Sequence, residues 1–415
     1  GQSAGLLSHL RLEPAFVEVA RTAVVLAAVS ALILQHPAAA RALVSLRRLP
    51  SAPPDTPAQA TARVLTALAE ARDEQLSTLS LLCDSDEPLL SAMANTVASF
   101  VWQSVNDPER ALKAARRTLT AFEGHNKQFP WFRVVTHSRI GELCMELGLG
   151  DEAHEHFAAT LSILDELPQL NAFRTGSSAS RIRSAMVLVN LQRNAVDEAE
   201  QWLDLTLRED GEEGAGLPMF GLVARAQIAR ARGEVEAGLR LWRQAVDALH
   251  DPRVQARAGE LFHTHTWILD VEAMTVIAHA QEGRLALIGQ LAGRLPRAAA
   301  KLVLDTVDGS AMSYSDFPLC GTQLLALALL DVDRGRRTGD ARATRSGARM
   351  IALAECFRVP STISAAQIRR LGEQADAPAY AEAVSEYAGF DADSLRAAAS
   401  AAVRARDQFT ESRPS

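Results

Sequence analysis

Aromatic residues are scarce in this chain of 415 residues, at 5% of the total. β-branched residues are sparse as well, whereas alanine, leucine and arginine dominate. Because β-branched and aromatic side chains favour strands, and Ala, Leu and Arg favour helices, the composition predicts an all-α protein. Hydrophobic residues make up 48% and charged residues 22%, the balance that is typical of a globular chain.

Lysine is almost missing, since only Lys113, Lys127 and Lys301 occur. None of them stands in the G-x-x-x-x-G-K-[ST] pattern of a phosphate-binding P-loop, so the chain has no such motif of its own. The net charge of −7 also differs from the basic balance that nucleic-acid binders carry. We therefore expect no direct nucleic-acid binding.

Cysteines and long apolar runs are few. The four cysteines lie far apart without a C-x-x-C pair, which predicts reduced thiols in a cytoplasmic protein. The longest apolar run, Thr22 to Leu34, is shorter than the ~20 residues that span a bilayer. Glu13 and Glu18 precede it, where a signal peptide carries only positive charge. The run predicts a buried helix and no membrane contact.

A repeated pattern of small and large apolar residues fills the middle of the chain. In the stretch 141–161, two short amphipathic segments flank a turn at Gly148, with small residues where two helices would cross. The key small residue recurs at Ala111, Ala153, Ala199 and Gly238, with spacings of 42, 46 and 39 residues. Weaker copies run through 273–293 and 324–353. The pattern predicts a row of helical hairpins.

This pattern resembles the tetratricopeptide repeat over roughly residues 90 to 357. The resemblance implies an α-solenoid of helical hairpins with helical caps at both ends. We predict N-terminal helices within 13–48 and 56–82, forming a cap over 1–89, and the repeat array over 90–357. Residues 358–415 are predicted to form a C-terminal helical cap, interrupted near Gly389, and a frayed tail.

In tetratricopeptide arrays the first helix of each hairpin lines a concave face. The residues that would line it here mix apolar, amide, acidic and arginine groups, which suits a protein or peptide segment held by several weak contacts. Ser138 and Glu142 replace two members of the basic clamp that some relatives use for chaperone tails, so those tails are not expected. The predicted binding residues are Phe100, Gln103, Ser138, Glu142, Met145, Arg181, Ser184, Leu188, Gln192, Val223, Gln227 and Arg230.

Histidine pairs in this sequence do not predict a metal site. His154 and His156 are two residues apart, whereas a helical zinc pair needs a spacing of four, so we interpret them as solvated surface groups. His263 and His265 have the same spacing. The string GQSAG at residues 1–5 matches a nucleophile elbow but lacks a preceding strand. We predict no catalytic residue, metal or cofactor.

Two charged clusters leave alternatives open. Asp84, Asp86 and Glu87 could hold magnesium in a helical enzyme, but such pockets are usually rich in aromatics, which are scarce here, so we interpret the cluster as an acidic turn and helix start. The arginines between Arg334 and Arg349 could bind phosphate, nucleic acid or an acidic partner surface, but we interpret them as a solvated basic loop between helices.

The segment 346–403 resembles the end of large bacterial transcriptional regulators of the antibiotic-regulatory-protein and maltose-regulator-like classes. In those regulators a tetratricopeptide region senses a protein partner or a small inducer. The resemblance implies a non-enzymatic sensor region that relays occupancy to DNA-binding and NTPase modules absent from this chain. The alternative is a stand-alone scaffold or adaptor unrelated to transcription.

Overall fold

The computed structural model describes residues 79–86, 88–104, 106–123, 130–166, 177–210, 217–250, 264–307, 320–357, 359 and 362–411. No residue in these ranges lies in a strand, so the predicted all-α class is confirmed for this part of the chain. The helices, in chain order, are α1 (Pro88–Ser104), α2 (Pro108–Phe122), α3 (Pro130–Glu146), α4 (Gly150–Glu166), α5 (Ser177–Gln192), α6 (Val196–Asp210), α7 (Leu217–Ala231), α8 (Val235–Leu249), α9 (Thr264–Gln281), α10 (Gly289–Val307), α11 (Gly321–Thr338), α12 (Ala341–Glu355), α13 (Ala365–Tyr387) and α14 (Ala392–Glu411).

Several predicted elements lie outside the described residues. These are the N-terminal helices, apart from helical residues 79–83, and the tail after residue 411. The predicted C-terminal pair of helices is present as α13 and α14, and Gly389 lies between them as expected. The first two residues of the predicted frayed tail, Thr410 and Glu411, belong to α14.

The same turn geometry recurs in six places. A residue with positive φ follows each of the helices α1, α3, α5, α7, α9 and α11 within two residues. In five of the six turns, those after α1, α5, α7, α9 and α11, the backbone N–H of the next residue donates to a carbonyl five positions back, as from Ala195 to Asn190 at 2.8 Å and from Glu234 to Ala229 at 2.8 Å. This is the Schellman arrangement that ends a helix. The six residues are Asn106, Gly148, Asn194, Gly233, Gly283 and Gly339.

Glycine and asparagine adopt the left-handed conformation at the least cost, which is why they occupy these turns. The spacings of 42, 46 and 39 residues that the key small residues predicted are the spacings of the first four turns. The weaker copies are helical pairs as well, α9 with α10 and α11 with α12. A short 3₁₀ helix, Leu285–Ile288, precedes α10.

Local signals start the second helix of several pairs. The Asp107 side chain accepts a hydrogen bond from the Arg110 N–H at 3.0 Å, and Pro108 occupies the first turn of α2. Asp340 accepts in the same way from the first turn of α12. Ser364 and Gln367 form a capping box at the start of α13.

Small residues allow the paired helices to cross closely, as predicted. A Cβ atom on Gly141 would lie 2.7 Å from the Phe157 ring, and one on Gly238 would lie 2.9 Å from the Ala226 carbonyl oxygen. A Cβ on Gly347 would lie 2.8 Å from the Ala328 carbonyl oxygen. The close crossings of α3 with α4, α7 with α8 and α11 with α12 therefore depend on a glycine, which has no Cβ atom, at the point of contact.

Contact clustering divides the described helices into two compact units. The first contains α1, α2, α3 and residues 155–166 of α4, and the second contains residues 148–154 and α5 to α14. The predicted domain boundaries after residues 89 and 357 stay predictions.

In each unit the apolar core is shared between successive helical pairs. In the first unit, Phe122 of α2 and Phe132 of α3 have ring centroids 4.4 Å apart and pack with Ala92 of α1. In the second, one cluster joins Val187 of α5 with residues of both α6 and α7. The contacts α8–α9 and α10–α11 continue this order. Residues of the next pair therefore complete the core of each of these pairs.

The last helix is anchored by a buried ion pair. Arg406 of α14 donates to both carboxylate oxygens of Asp331 on α11, at 3.1 and 3.0 Å. The four cysteines, Cys83, Cys144, Cys320 and Cys356, are free, in agreement with the prediction. No helix within the described ranges has the length and apolar character needed to cross a bilayer.

Candidate interaction surface

The twelve predicted binding residues fall on the first helices of four pairs, α1, α3, α5 and α7. Within each helix their spacing of three or four residues places them on one side. Five of them belong to the first unit and seven to the second. The two groups are described separately.

In the first unit Arg139 of α3 organises the predicted residues. Its guanidinium lies over the Phe100 ring, with 3.9 Å from Cζ to the ring centroid. It donates to the Ser99 carbonyl at 3.0 Å and to Gln103 Oε1 at 2.6 Å. Gln103 Nε2 in turn donates to Glu146 Oε2 at 2.7 Å. A cation–π contact and charge-assisted hydrogen bonds therefore join α3 to α1.

This network changes the role of two predicted residues. Phe100 and Gln103 are only 8% and 5% exposed, because they pack beneath Arg139 instead of lining an open face. Ser138, Glu142 and Met145 are half-buried, and Ser138 donates to the Val134 carbonyl at 2.7 Å. A partner of the first unit would therefore meet α3 rather than α1.

In the second unit the predicted residues of α5 and α7 are mostly half-buried. Arg181 is exposed, whereas Ser184, Leu188, Gln192, Val223 and Gln227 are half-buried. Arg230 donates to Gln281 Oε1 at 2.8 Å and to Glu282 Oε1 at 3.2 Å, so it joins α7 to the end of α9. Gln227 Oε1 and Arg230 Nε are buried and have no hydrogen-bond partner among the described residues. Buried polar atoms without partners are rare and costly.

Polar bridges between first helices were missed by the sequence analysis. Arg139 and Glu146 were not selected, nor were Gln281 and Glu282. A similar bridge joins α9 to α11, where Gln323 Nε2 donates to Asp270 Oδ1 at 2.6 Å. Burial raises the pKa of Asp270 to about 6, and the Gln323 hydrogen bond opposes this shift. A polar residue within an otherwise apolar helix is the sequence signal for such a bridge. The signal does not identify the partner, because the two bridged residues are 36 to 53 positions apart in the chain.

The histidines of α4 are not simply solvated. His156 Nδ1 lies 2.9 Å from His137 Nδ1 on α3, and burial, followed by His156 and Arg133, lowers the pKa of His137 to about 4. The prediction for His156 is therefore corrected, because the fold supplies a partner 19 residues away. Among the described residues there is no group of three or more potential metal ligands. His263 and the side chain of His265 lie outside the described residues, as does GQSAG.

The arginine-rich stretch from Arg334 to Arg349 was predicted to be a solvated basic loop. This prediction is wrong, because most of the stretch is helical. The stretch forms the end of α11, a short turn and most of α12. Arg345 lies 3.4 Å from Glu382, and Arg349 pairs with Glu386 on α13. Of the acidic cluster, Asp84 pairs with Arg117 at 3.0 Å, and Glu87 lies outside the described residues.

A scan against models of known protein families finds no match for this chain. A search of curated proteins finds no match either.

Proposed function

We propose that this chain is a non-enzymatic interaction region whose helical pairs form an α-solenoid of tetratricopeptide-like hairpins. The observation that carries the proposal is the recurrence of one turn geometry after six first helices. The shared cores support it, because each pair needs its neighbour to bury its apolar residues.

The first helices provide the binding residues in this proposal. In each unit the accessible side chains differ in chemistry: the first unit presents Glu142 and Met145 on α3, and the second presents Arg181 and Leu188 on α5. Such a mixture fits a protein or peptide segment, or a small inducer, bound through several modest contacts. The polar bridges beneath, such as Arg139 with Gln103, would hold the helices that present these groups.

The resemblance of the C-terminal segment extends this proposal to a sensor region of a bacterial transcriptional regulator. We call the predicted binding residues of α1, α3, α5 and α7 the first-helix surface. Binding of a partner or inducer there would shift a pre-existing conformational equilibrium and so signal to NTPase and DNA-binding modules. The gene tests this extension. A reading frame that continues upstream into an NTPase supports it, whereas a start codon immediately before Leu6 supports the stand-alone adaptor.

A peptide-binding experiment tests the core of the proposal. The full chain is screened against an immobilised library of random peptides, and the affinity of the best peptide is measured by calorimetry. The variants Glu142→Lys and Arg181→Glu each change an accessible first-helix charge. Arg225→Glu is the matched control, since Arg225 is an exposed arginine of α7 outside the predicted set.

We expect at least one of the two surface variants to weaken binding by about tenfold, which corresponds to roughly 1.4 kcal/mol, and the control to change it by less than about twofold. Equal effects in all three variants would contradict the proposal. Turnover of ATP would also contradict it. A magnesium-dependent rise in melting temperature that disappears in Asp86→Ala would favour the enzyme alternative.

A further inference from the structure

A groove runs along α2 in the first unit, between residues 79–83, α1 and α2. It consists of two adjoining pockets of about 210 Å³ and about 520 Å³. The two pockets share Cys83, Asn95, Lys113 and Arg117. Their combined size is that of a site for a small molecule.

One side of this groove is strongly basic. Arg110, Lys113, Arg116 and Arg117 are all exposed, and their spacing places them along one side of α2. Asp84 is the one carboxylate among the described residues that line the two pockets. It pairs with Arg117, but both side chains are more than half exposed, so this ion pair contributes little.

The other polar groups of the groove are neutral. Burial raises the pKa of the Cys83 thiol to about 11, so it carries no charge near pH 7. Asn95 is buried, and its side chain donates to the Cys83 carbonyl at 3.0 Å. Asp107, at the start of α2, pairs with Arg110 at 3.3 Å. The four basic side chains outnumber the two described carboxylates that pair with them, so the groove has an excess of positive charge in a chain with a net charge of −7.

This positive charge does not follow from the position of α2 as the second helix of a pair. The helix α4 has five acidic residues and neither Lys nor Arg. The helix α6 has six acidic residues and a single arginine. In contrast, α2 has four basic residues and one acidic residue. The second helix of a pair is thus basic in α2 but acidic in α4 and α6. Of these three helices, only α2 is basic.

The base of the groove is apolar. It includes Trp102 and Ala98 of α1 and Ala114 of α2. The Arg110 guanidinium carbon lies 4.9 Å from the centroid of the Trp102 ring. Arg110 therefore lies over one face of the Trp102 ring, and the apolar surface and the cations adjoin each other.

We propose that this groove binds a small molecule that carries phosphate groups next to a flat apolar part. Arginine and lysine side chains bind phosphate oxygens through charge-assisted hydrogen bonds. Trp102 provides the surface for the apolar part. A long polyanion fits less well, because the basic residues of α2 span only roughly 10 Å at 1.5 Å per residue and the chain as a whole is acidic.

This site goes beyond the proposed function. It uses α2 and the side of α1 that carries Asn95, Ala98 and Trp102, whereas the first-helix surface involves other side chains. A failure of this proposal would leave the peptide-binding proposal unchanged.

Calorimetry of the full chain with inorganic tripolyphosphate and with ATP, at low salt, tests the site. We expect both probes to bind, and ATP to bind more tightly because it adds a flat ring to the phosphates. Lys113→Glu should weaken both by about tenfold or more, because it replaces an attraction with a repulsion. The matched control is Arg342→Glu, an exposed arginine of α12 whose replacement changes the net charge equally. It should change either affinity by less than about twofold.

Tryptophan fluorescence locates the bound probe. ATP should change the emission of the wild-type chain, and Trp102→Phe should remove this change while tripolyphosphate still binds in the calorimeter. No binding at millimolar concentration would overturn the proposal, as would equal losses in Lys113→Glu and Arg342→Glu. An ATP affinity no higher than that of tripolyphosphate would overturn the apolar half of the site. Tighter binding of a single-stranded oligonucleotide would overturn the choice of a small molecule. Melting curves of each variant exclude unfolding as the cause.

Discussion

Arginine is concentrated both in α2 and in the pair α11–α12, but the two regions use it differently. In α11 and α12, charged side chains pair with residues of the C-terminal helices α13 and α14. Asp331 pairs with Arg406, and Glu382 and Glu386 pair with Arg349. In α2 the basic side chains line a groove in which Asp84 is the one described carboxylate.

The comparison shows that the density of charge along a sequence does not predict the charge of the folded surface. The carboxylates that neutralise α12 stand 37 residues further along the chain, and the partners Asp331 and Arg406 are 75 residues apart. Distances of this order are set by the packing of whole helices. In α2 the described carboxylates that pair with basic residues are close in sequence or exposed: Asp107 pairs with Arg110 and Asp84 with Arg117, so the four basic side chains still outnumber them.

The largest expected effect comes from breaking the buried ion pair of the arginine-rich region. Arg406→Met should lower the free energy of unfolding by about 3–5 kcal/mol, because it removes the buried partner of the Asp331 carboxylate, whose side chain is 2% exposed. Among the described cations, the partly exposed Arg334 would remain, 3.4 Å from Asp331. Denaturant unfolding measures the loss. The double variant Arg406→Met/Asp331→Leu should recover most of it, and a loss below about 1 kcal/mol in the single variant would contradict the assignment.

The next effect tests whether the arginine-rich pair depends on close helix crossing. Gly347→Ala should destabilise the chain by about 1–3 kcal/mol, because the added Cβ meets the Ala328 carbonyl and the Val332 side chain. Gly293→Ala in α10 is the control, since nothing lies within 4 Å of its Cβ position. That substitution should stabilise the chain by about 0.5–1 kcal/mol through helix propensity. Equal effects in thermal melts would refute the crossing.

Asp270 extends the comparison to a carboxylate that accepts a hydrogen bond from an amide, that of Gln323, instead of pairing with a guanidinium. Its folded pKa of about 6 lies above the ordinary value of 3.8, so the folded state holds this proton more tightly than the unfolded state. Stability from this group is therefore complete below about pH 4 and is lost as the pH rises through about 6. The full loss should be on the order of 3 kcal/mol, because each unit of difference between the folded and unfolded pKa corresponds to about 1.4 kcal/mol.

Asp270→Asn isolates this effect. The variant and the wild type should unfold with similar free energies at pH 4, and the variant should be the more stable at pH 7. Urea unfolding across this range measures both curves. Parallel curves for the two proteins would show that Asp270 does not cause the pH dependence.

The smallest effect compares the half-buried Arg349 of α12 with the exposed Lys113 of α2. Arg349→Ala should cost about 0.5–1 kcal/mol, because it removes partly exposed ion pairs with Glu382 and Glu386, and the cost should shrink at high salt. Lys113→Ala in α2 should change stability by less than about 0.5 kcal/mol. Paired thermal melts at low and high salt check this. A larger loss for Lys113→Ala would reverse the comparison.

The predicted helices and their spacing followed from local signals. The turn at Gly148 was predicted, and the structure gives this glycine a positive φ. The residue types of the first-helix surface were also visible in the sequence. Their exposure was not, since Phe100 and Gln103 are buried by Arg139, which lies on another helix.

The sequence by itself determined that the described chain is helical, where its helices end and that its helical pairs recur, because propensity, capping and turn conformation act within a few residues. Only the tertiary structure decided which charges are neutralised, that His156 meets His137, and that the basic side of α2 borders a groove. Each of these depends on atoms from helices brought together by shared apolar cores. Burial of those cores stabilises the packing without regard to the charges that it brings into contact or leaves apart.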